Sequence, residues 1–148
     1  MSNKFYSGER LKSRKQIGQL FGRASSSVNA YPLRLVYAEA EEVRSSFPFQ
    51  AAFVVPKRKF KKAVDRNLIK RRVREAYRLE KHCLAGTQVP EAGQRPDKQY
   101  ALMFIYTGKE AMPYKYIERK MKKVLEQLSV ALAQVNPVIK QPDNGGSD

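Results

Sequence analysis

The 148-residue chain contains one cysteine, one histidine and no tryptophan. Cys83 has no partner for an internal disulfide, which fits a reducing, cytoplasmic setting. His82 precedes it directly, and neighbours on a helix project about 100° apart, so the two do not form a nucleophile–base pair. A structural or catalytic metal site needs more imidazole or thiolate ligands than this. No Walker-type or GxGxxG phosphate loop occurs, and the carboxylate pair Glu41–Glu42 sits in a polar, loop-like stretch. No apolar run approaches the ~18 residues needed to span a bilayer, and the first 15 residues have no apolar signal core. Acid is also scarce: 14 Asp and Glu face 29 Lys and Arg, a net charge of +15. The polypeptide is thus poorly equipped for bond chemistry and strongly equipped for an anionic partner. Nucleic acid ranks ahead of a membrane surface or an acidic protein, and no obligatory protein partner is implied.

The organisation is that of one domain with trimmings. Residues 1–8 read as a flexible arm and 9–135 as a single domain. Residues 136–148, ending in QPDNGGSD, read as a disordered tail. Within 9–21, Ile17, Leu20 and Phe21 recur at helical spacing, with Ser13 as a helix N-cap. Residues 25–30 are turn-like or a short edge strand. Residues 33–38 (LRLVYA) alternate as a strand, with Leu33, Leu35 and Tyr37 on one face. Residues 39–46 read as a hairpin loop, and 47–55 (FPFQAAFVV) as a strand apolar enough to lie centrally in a sheet. After a basic helix come a long Gly- and Pro-containing loop (82–99), the apolar strand 100–106 and a helix over 114–135 stopped by Pro137. Helices and strands in this order make an α+β fold.

The stretch 57–81 (KRKFKKAVDRNLIKRRVREAYRLEK) carries twelve Lys or Arg against Asp65, Glu75 and Glu80. From Arg66 it lacks Gly and Pro and reads as a helix. At about 100° per residue, Arg66, Asn67, Lys70, Arg71, Arg74 and Arg78 share an arc about 140° wide. Ile69, Val73, Ala76 and Tyr77 fall on another side. Solvated helices usually mix signs so that i,i+4 pairs support them, and this arc holds no acid. Crowded like charge costs the free protein stability and is relieved by a polyanion. Arg and Asn also give planar recognition of phosphates and base edges. Lys57, Arg58, Lys59, Lys61 and Lys62 feed the helix N-terminus, where the dipole favours phosphate; plain solubilising charge is the competing reading for each.

The run 66–75 (RNLIKRRVRE), preceded by VVPKRKF at 54–60, resembles the RNxxKRxxRE signature of the bacterial ribonuclease P protein component. The resemblance covers about 9–128. It implies an αβββαβα two-layer sandwich with a four-stranded sheet and a left-handed βαβ crossover, a ribosomal-protein-like fold. It further implies that Arg66, Asn67, Lys70, Arg71 and Arg74, with Lys57, Arg58, Lys59 and Lys62 nearby, contact the ribonuclease P RNA. Ile17, Phe21 and Tyr37 fall at the positions of a cleft for the single-stranded 5′ leader of precursor tRNA. There, stacking on an aromatic contributes roughly 1–3 kcal/mol per base whatever the sequence. Ile17 stands where the family often has an aromatic, and ordinary core packing is the other reading of Phe21 and Tyr37. In this family catalysis belongs to the RNA subunit, and Mg²⁺ is held mainly by RNA and substrate. The function implied is removal of the 5′ leader. The alternative is a ribosomal-type structural RNA-binding protein with no role in cleavage. A helix-turn-helix DNA-binding regulator lacks its first helix here, because a strand precedes the basic helix.

Overall fold

The computed structural model describes residues 9–11, 18, 26–39, 47–84 and 99–135. Four strands, β1 (Ser26–Ala30), β2 (Leu33–Glu39), β3 (Phe49–Val54) and β4 (Tyr100–Tyr106), form one sheet in the order β1-β2-β4-β3. Two long helices accompany it, α1 (Ala63–Glu80) and α2 (Tyr114–Val135), with a short 3₁₀ turn at Lys81–Cys83. The expected α+β architecture with a four-stranded sheet is therefore present. The helix expected within 9–21 lies outside the described residues, apart from a helical Gly18. So do the arm 1–8, most of the 82–99 loop and the tail 136–148.

Sheet order corrects two expectations. The 39–46 stretch does not close a hairpin, because β4 lies between β2 and β3, antiparallel to the first and parallel to the second. The interior strands are β2 and β4, and β3 is not one of them. Strand β3 lies at the end of that order, and its apolar character comes from cover on its faces and along its edge. Arg10 forms a parallel bridge with Ala51, whose carbonyl oxygen accepts a 2.9 Å hydrogen bond from the Leu11 amide. The hairpin that does exist is β1–β2, which turns through Tyr31–Pro32, a cis peptide.

Strand alternation assigns the two sheet faces. Leu33, Leu35, Tyr37, Phe49, Ala51, Leu102, Phe104 and Tyr106 join Ile69, Val73, Ala76 and Tyr77 of α1 in the main core. Ile117, Met121, Val124, Leu125 and Leu128 of α2 complete it. Both helices thus cover one face. The rings of Phe53, Tyr77 and Phe104 meet at centroid distances of 5.3–5.8 Å, tying β3, α1 and β4 together. On the opposite face Leu11, Ala101 and Met103 form a smaller buried cluster. Beyond β4 the chain reverses tightly. The Tyr106 hydroxyl donates to the Glu110 carbonyl oxygen and accepts from the Met112 amide. A Cβ on Gly108 would come within 2.9 Å of the Tyr106 ring, so only glycine fits there.

Candidate nucleic-acid interface

Helix α1 begins three residues earlier than its composition suggests, at Ala63, and its N-cap Lys62 offers no side-chain cap. The preceding turn is held by other means. The Pro56 carbonyl oxygen accepts from the amides of Lys59 and Phe60 at 3.3 and 3.2 Å. Phe60 is buried, meeting Tyr106 edge-on at 5.8 Å. Arg66 then clamps the turn to the helix, its Nη1 donating to the carbonyl oxygens of Phe60 (2.8 Å) and Lys61 (3.0 Å). Lys57, Arg58, Lys61 and Lys62 are left exposed around the helix N-terminus. Lys59 is exposed too, but its Nζ donates to the Thr107 carbonyl oxygen at 3.0 Å.

The buried side of α1 is Ile69, Val73, Ala76 and Tyr77, as the periodicity predicts. With that side fixed on the sheet, Asn67, Arg71 and Arg74 are exposed and Lys70 half-buried. Among the described residues none of these four has a side-chain hydrogen bond or ion pair, so four of the five signature positions share one surface, while Arg66 is half-buried and engaged with backbone carbonyls.

Other members of the basic run have structural work. Arg78 leaves the cationic face, because its guanidinium pairs with Glu75 through two contacts of 2.9 and 2.6 Å. That hydrogen bond holds the Glu75 carboxyl below its usual range and pushes the Arg78 pKa up. Arg72 reaches the other way, donating from Nη1 to the Met112 carbonyl oxygen at 2.6 Å and fastening α1 to the approach of α2. Lys81 is buried, and its Nζ lies 2.7 and 2.8 Å from the two carboxylate oxygens of Glu9. No local pattern shows this pairing, since the partner lies 72 residues away. The Arg72 contact is equally invisible in sequence, whereas Arg78 three residues after Glu75 is a legible i,i+3 pair.

The cleft residues fare differently. Ile17 and Phe21 lie outside the described residues. Tyr37 does not open onto a cleft: it is 8% exposed and packs in the main core on the helix-covered face, which corrects its assignment to leader binding. Alternation along β2 is the cause, since Leu33, Leu35 and Tyr37 point together into the core while Arg34 points away.

His82 is exposed, with Nδ1 3.0 Å from the Leu79 carbonyl oxygen, an arrangement that finishes the helix end. Among the described residues no group of three or more His, Cys, Asp or Glu stands where it could hold a metal ion. No described helix is long and apolar enough to cross a membrane.

Comparison with known proteins converges on one family. The Ribonuclease P family model matches residues 5–129. The ribonuclease P protein component of Porphyromonas gingivalis is 36% identical over 121 residues, covering 82% of this chain and 83% of that one. That of Chlorobaculum tepidum is 32% identical over 139 residues, covering 92% and 88%. In fold, the Staphylococcus aureus RNase P protein superposes with a TM-score of 0.61 at 20% identity, over 82% of this chain and 96% of that one. The Thermotoga maritima protein does so with 0.58 at 22%, over 80% and 96%. With its signature run on the exposed side of α1 and a family match spanning most of its length, the chain belongs to the ribonuclease P protein family.

Proposed function

We propose that this chain is the protein subunit of ribonuclease P, assisting a catalytic RNA in removing the 5′ leader from precursor tRNA. The observation that carries this reading is the α1 surface. Asn67, Lys70, Arg71 and Arg74 project together from a helix anchored on a rigid sheet, with no acid paired to any of them among the described residues. Lys57, Arg58 and Lys62 extend the same charge to the helix N-terminus, where unpaired backbone N–H groups add to the pull on phosphate. Such a surface binds RNA backbone and fixes orientation, while Asn67 and the guanidinium planes are equipped to read edges.

In this reading the polypeptide breaks no bond. Its residues bind and position, holding the scissile phosphate where the RNA subunit acts, and Mg²⁺ is held by RNA and substrate. Leader binding falls to Ile17 and Phe21 with Tyr37 removed from the set, and the cell compartment is the cytoplasm.

The test is cleavage of precursor tRNA by a ribonuclease P RNA from the same organism at low Mg²⁺, with and without the protein. Correct 5′ cleavage that depends on the protein is the expected result. Tight RNA binding with no stimulation would instead establish a structural RNA-binding protein.

A further inference from the structure

Helix α2 has a cationic face of its own. Its core side is Ile117, Met121, Val124, Leu125 and Leu128, all at 0% exposure. On the outward side, Lys115, Arg119 and Lys123 follow one another at i, i+4, i+8, about 6 Å of rise apiece. All three are exposed. None has an acid partner among the described residues. Tyr116 stands beside this rail, with the Arg119 guanidinium 5.7 Å and the Lys120 ammonium 5.3 Å from its ring centroid. The one acid in 115–123, Glu118, is turned aside to hydrogen-bond Glu80 of α1.

Like charges at i,i+4 destabilise a helix, and the single exposed carboxylate on this side, Glu126 three residues beyond Lys123, offsets three cations only in part. At its far end the rail enters an open groove of about 520 Å³ between α2 and β1, lined by Val28, Lys123, Glu126, Gln127, Val130 and Ala131, so its last cation stands beside one exposed carboxylate. Val130 is 59% exposed. A line of cations one turn apart suits a phosphodiester backbone, and an apolar slot beside it suits an unstacked base.

This face is distinct from that of α1. Arg72, which reaches across to the start of α2, projects about 160° away from both Lys70 and Arg74. Between the two cationic faces lies a seam of Glu75–Arg78 and Glu80–Glu118 contacts. One strand lying on α1 does not cover α2.

We propose that the outward face of residues 115–130 is a second RNA site, taking the backbone of a single strand, so that the protein grips two RNA segments at once. The inference rests on the reading of the partner as RNA but concerns a different surface.

The test uses the full chain in three forms: wild type, Lys115→Gln/Arg119→Gln/Lys123→Gln on α2, and Arg71→Gln/Arg74→Gln on α1. Binding of poly(U) is followed against salt. Each lost phosphate contact lowers the log–log slope by about 0.7 for a single strand. The α2 variant is expected to lose roughly 2 units of slope, with a melting temperature no lower than wild type. A Lys115→Arg/Lys123→Arg variant is expected to retain the wild-type slope. On ribonuclease P RNA, footprinting is expected to show different nucleotides deprotected by the α1 and α2 variants. An α2 slope equal to wild type overturns the proposal. So does a loss confined to phosphatidylserine vesicles, which would make the face a membrane contact. If the α2 slope falls while the α1 slope stands unchanged, the second site holds and the α1 interface fails.

Discussion

Individual side chains in the basic run divide into those that reach outward and those that hold the fold. Arg71 and Arg74 have the first character, whereas Arg66 has a share of both, since its guanidinium secures the carbonyls of Phe60 and Lys61. Charge counting does not separate them, because the difference depends on where the chain before the helix turns. The carboxyls facing one another across α1 and α2 offer a sharper test of the structure. Burial first, then the hydrogen bond and charge of Glu118, raise the Glu80 pKa, with His82 and Lys122 pulling the other way. A carboxyl whose folded pKa is raised favours the protonated form. Its stabilising share is complete below the unfolded value near 4.5 and is lost as pH climbs through the folded one. Glu80→Gln, which keeps the hydrogen bond and removes the charge, is therefore expected to raise the melting temperature at pH 7 and leave it nearly unchanged at pH 4. A lower melting temperature at pH 7 would mean that Glu80 serves as an ion-pair partner instead.

At the scale of elements, periodicity carries far on helices and less far on strands. The buried set of α1 and the whole span of α2 are legible from 3.6-residue spacing, because a helix declares its covered side within its own sequence. A strand declares two faces but not which neighbour covers each, nor its place in the sheet. Hence β3 reads as central when it lies at the edge, and Tyr37 reads as a cleft residue when it faces the helices. The consequence for Tyr37 is measurable. Truncating a buried aromatic to alanine costs about 3–5 kcal/mol, so Tyr37→Ala is expected to shift the urea midpoint strongly downward. It is expected to weaken leader-bearing and leaderless tRNA binding alike. Wild-type stability with a selective loss for the leader would return Tyr37 to the cleft. Of the five expected contacts in the signature run, Asn67, Lys70, Arg71 and Arg74 share a helix surface, as spacing alone shows, whereas the Arg66 bonds to the Phe60 and Lys61 carbonyl oxygens do not follow from it.

For the molecule as a whole, a net charge of +15 is carried on a scaffold closed by ties between residues distant in sequence. One is the buried Glu9–Lys81 pair, which brings the first described residues to the end of α1. Neither partner's role is visible from its neighbours; Lys81 looks like one more cation until Glu9 is placed against it. Another is β4, which carries β2 on one side and β3 on the other. Because that strand comes after α1 in the chain, synthesis delivers the polycationic helix before the support it docks on is complete. Until 100–106 leaves the ribosome, the β1–β2 hairpin and β3 have nothing to join them. The nascent protein is then an unsupported polycation beside the most abundant RNA in the cell. A fragment of residues 1–99 is accordingly expected to show no cooperative thermal transition, and one of residues 1–135 a single sharp one; a folded 1–99 fragment would break this order. Folding and the power to discriminate among RNAs would then arrive together, with the last strand.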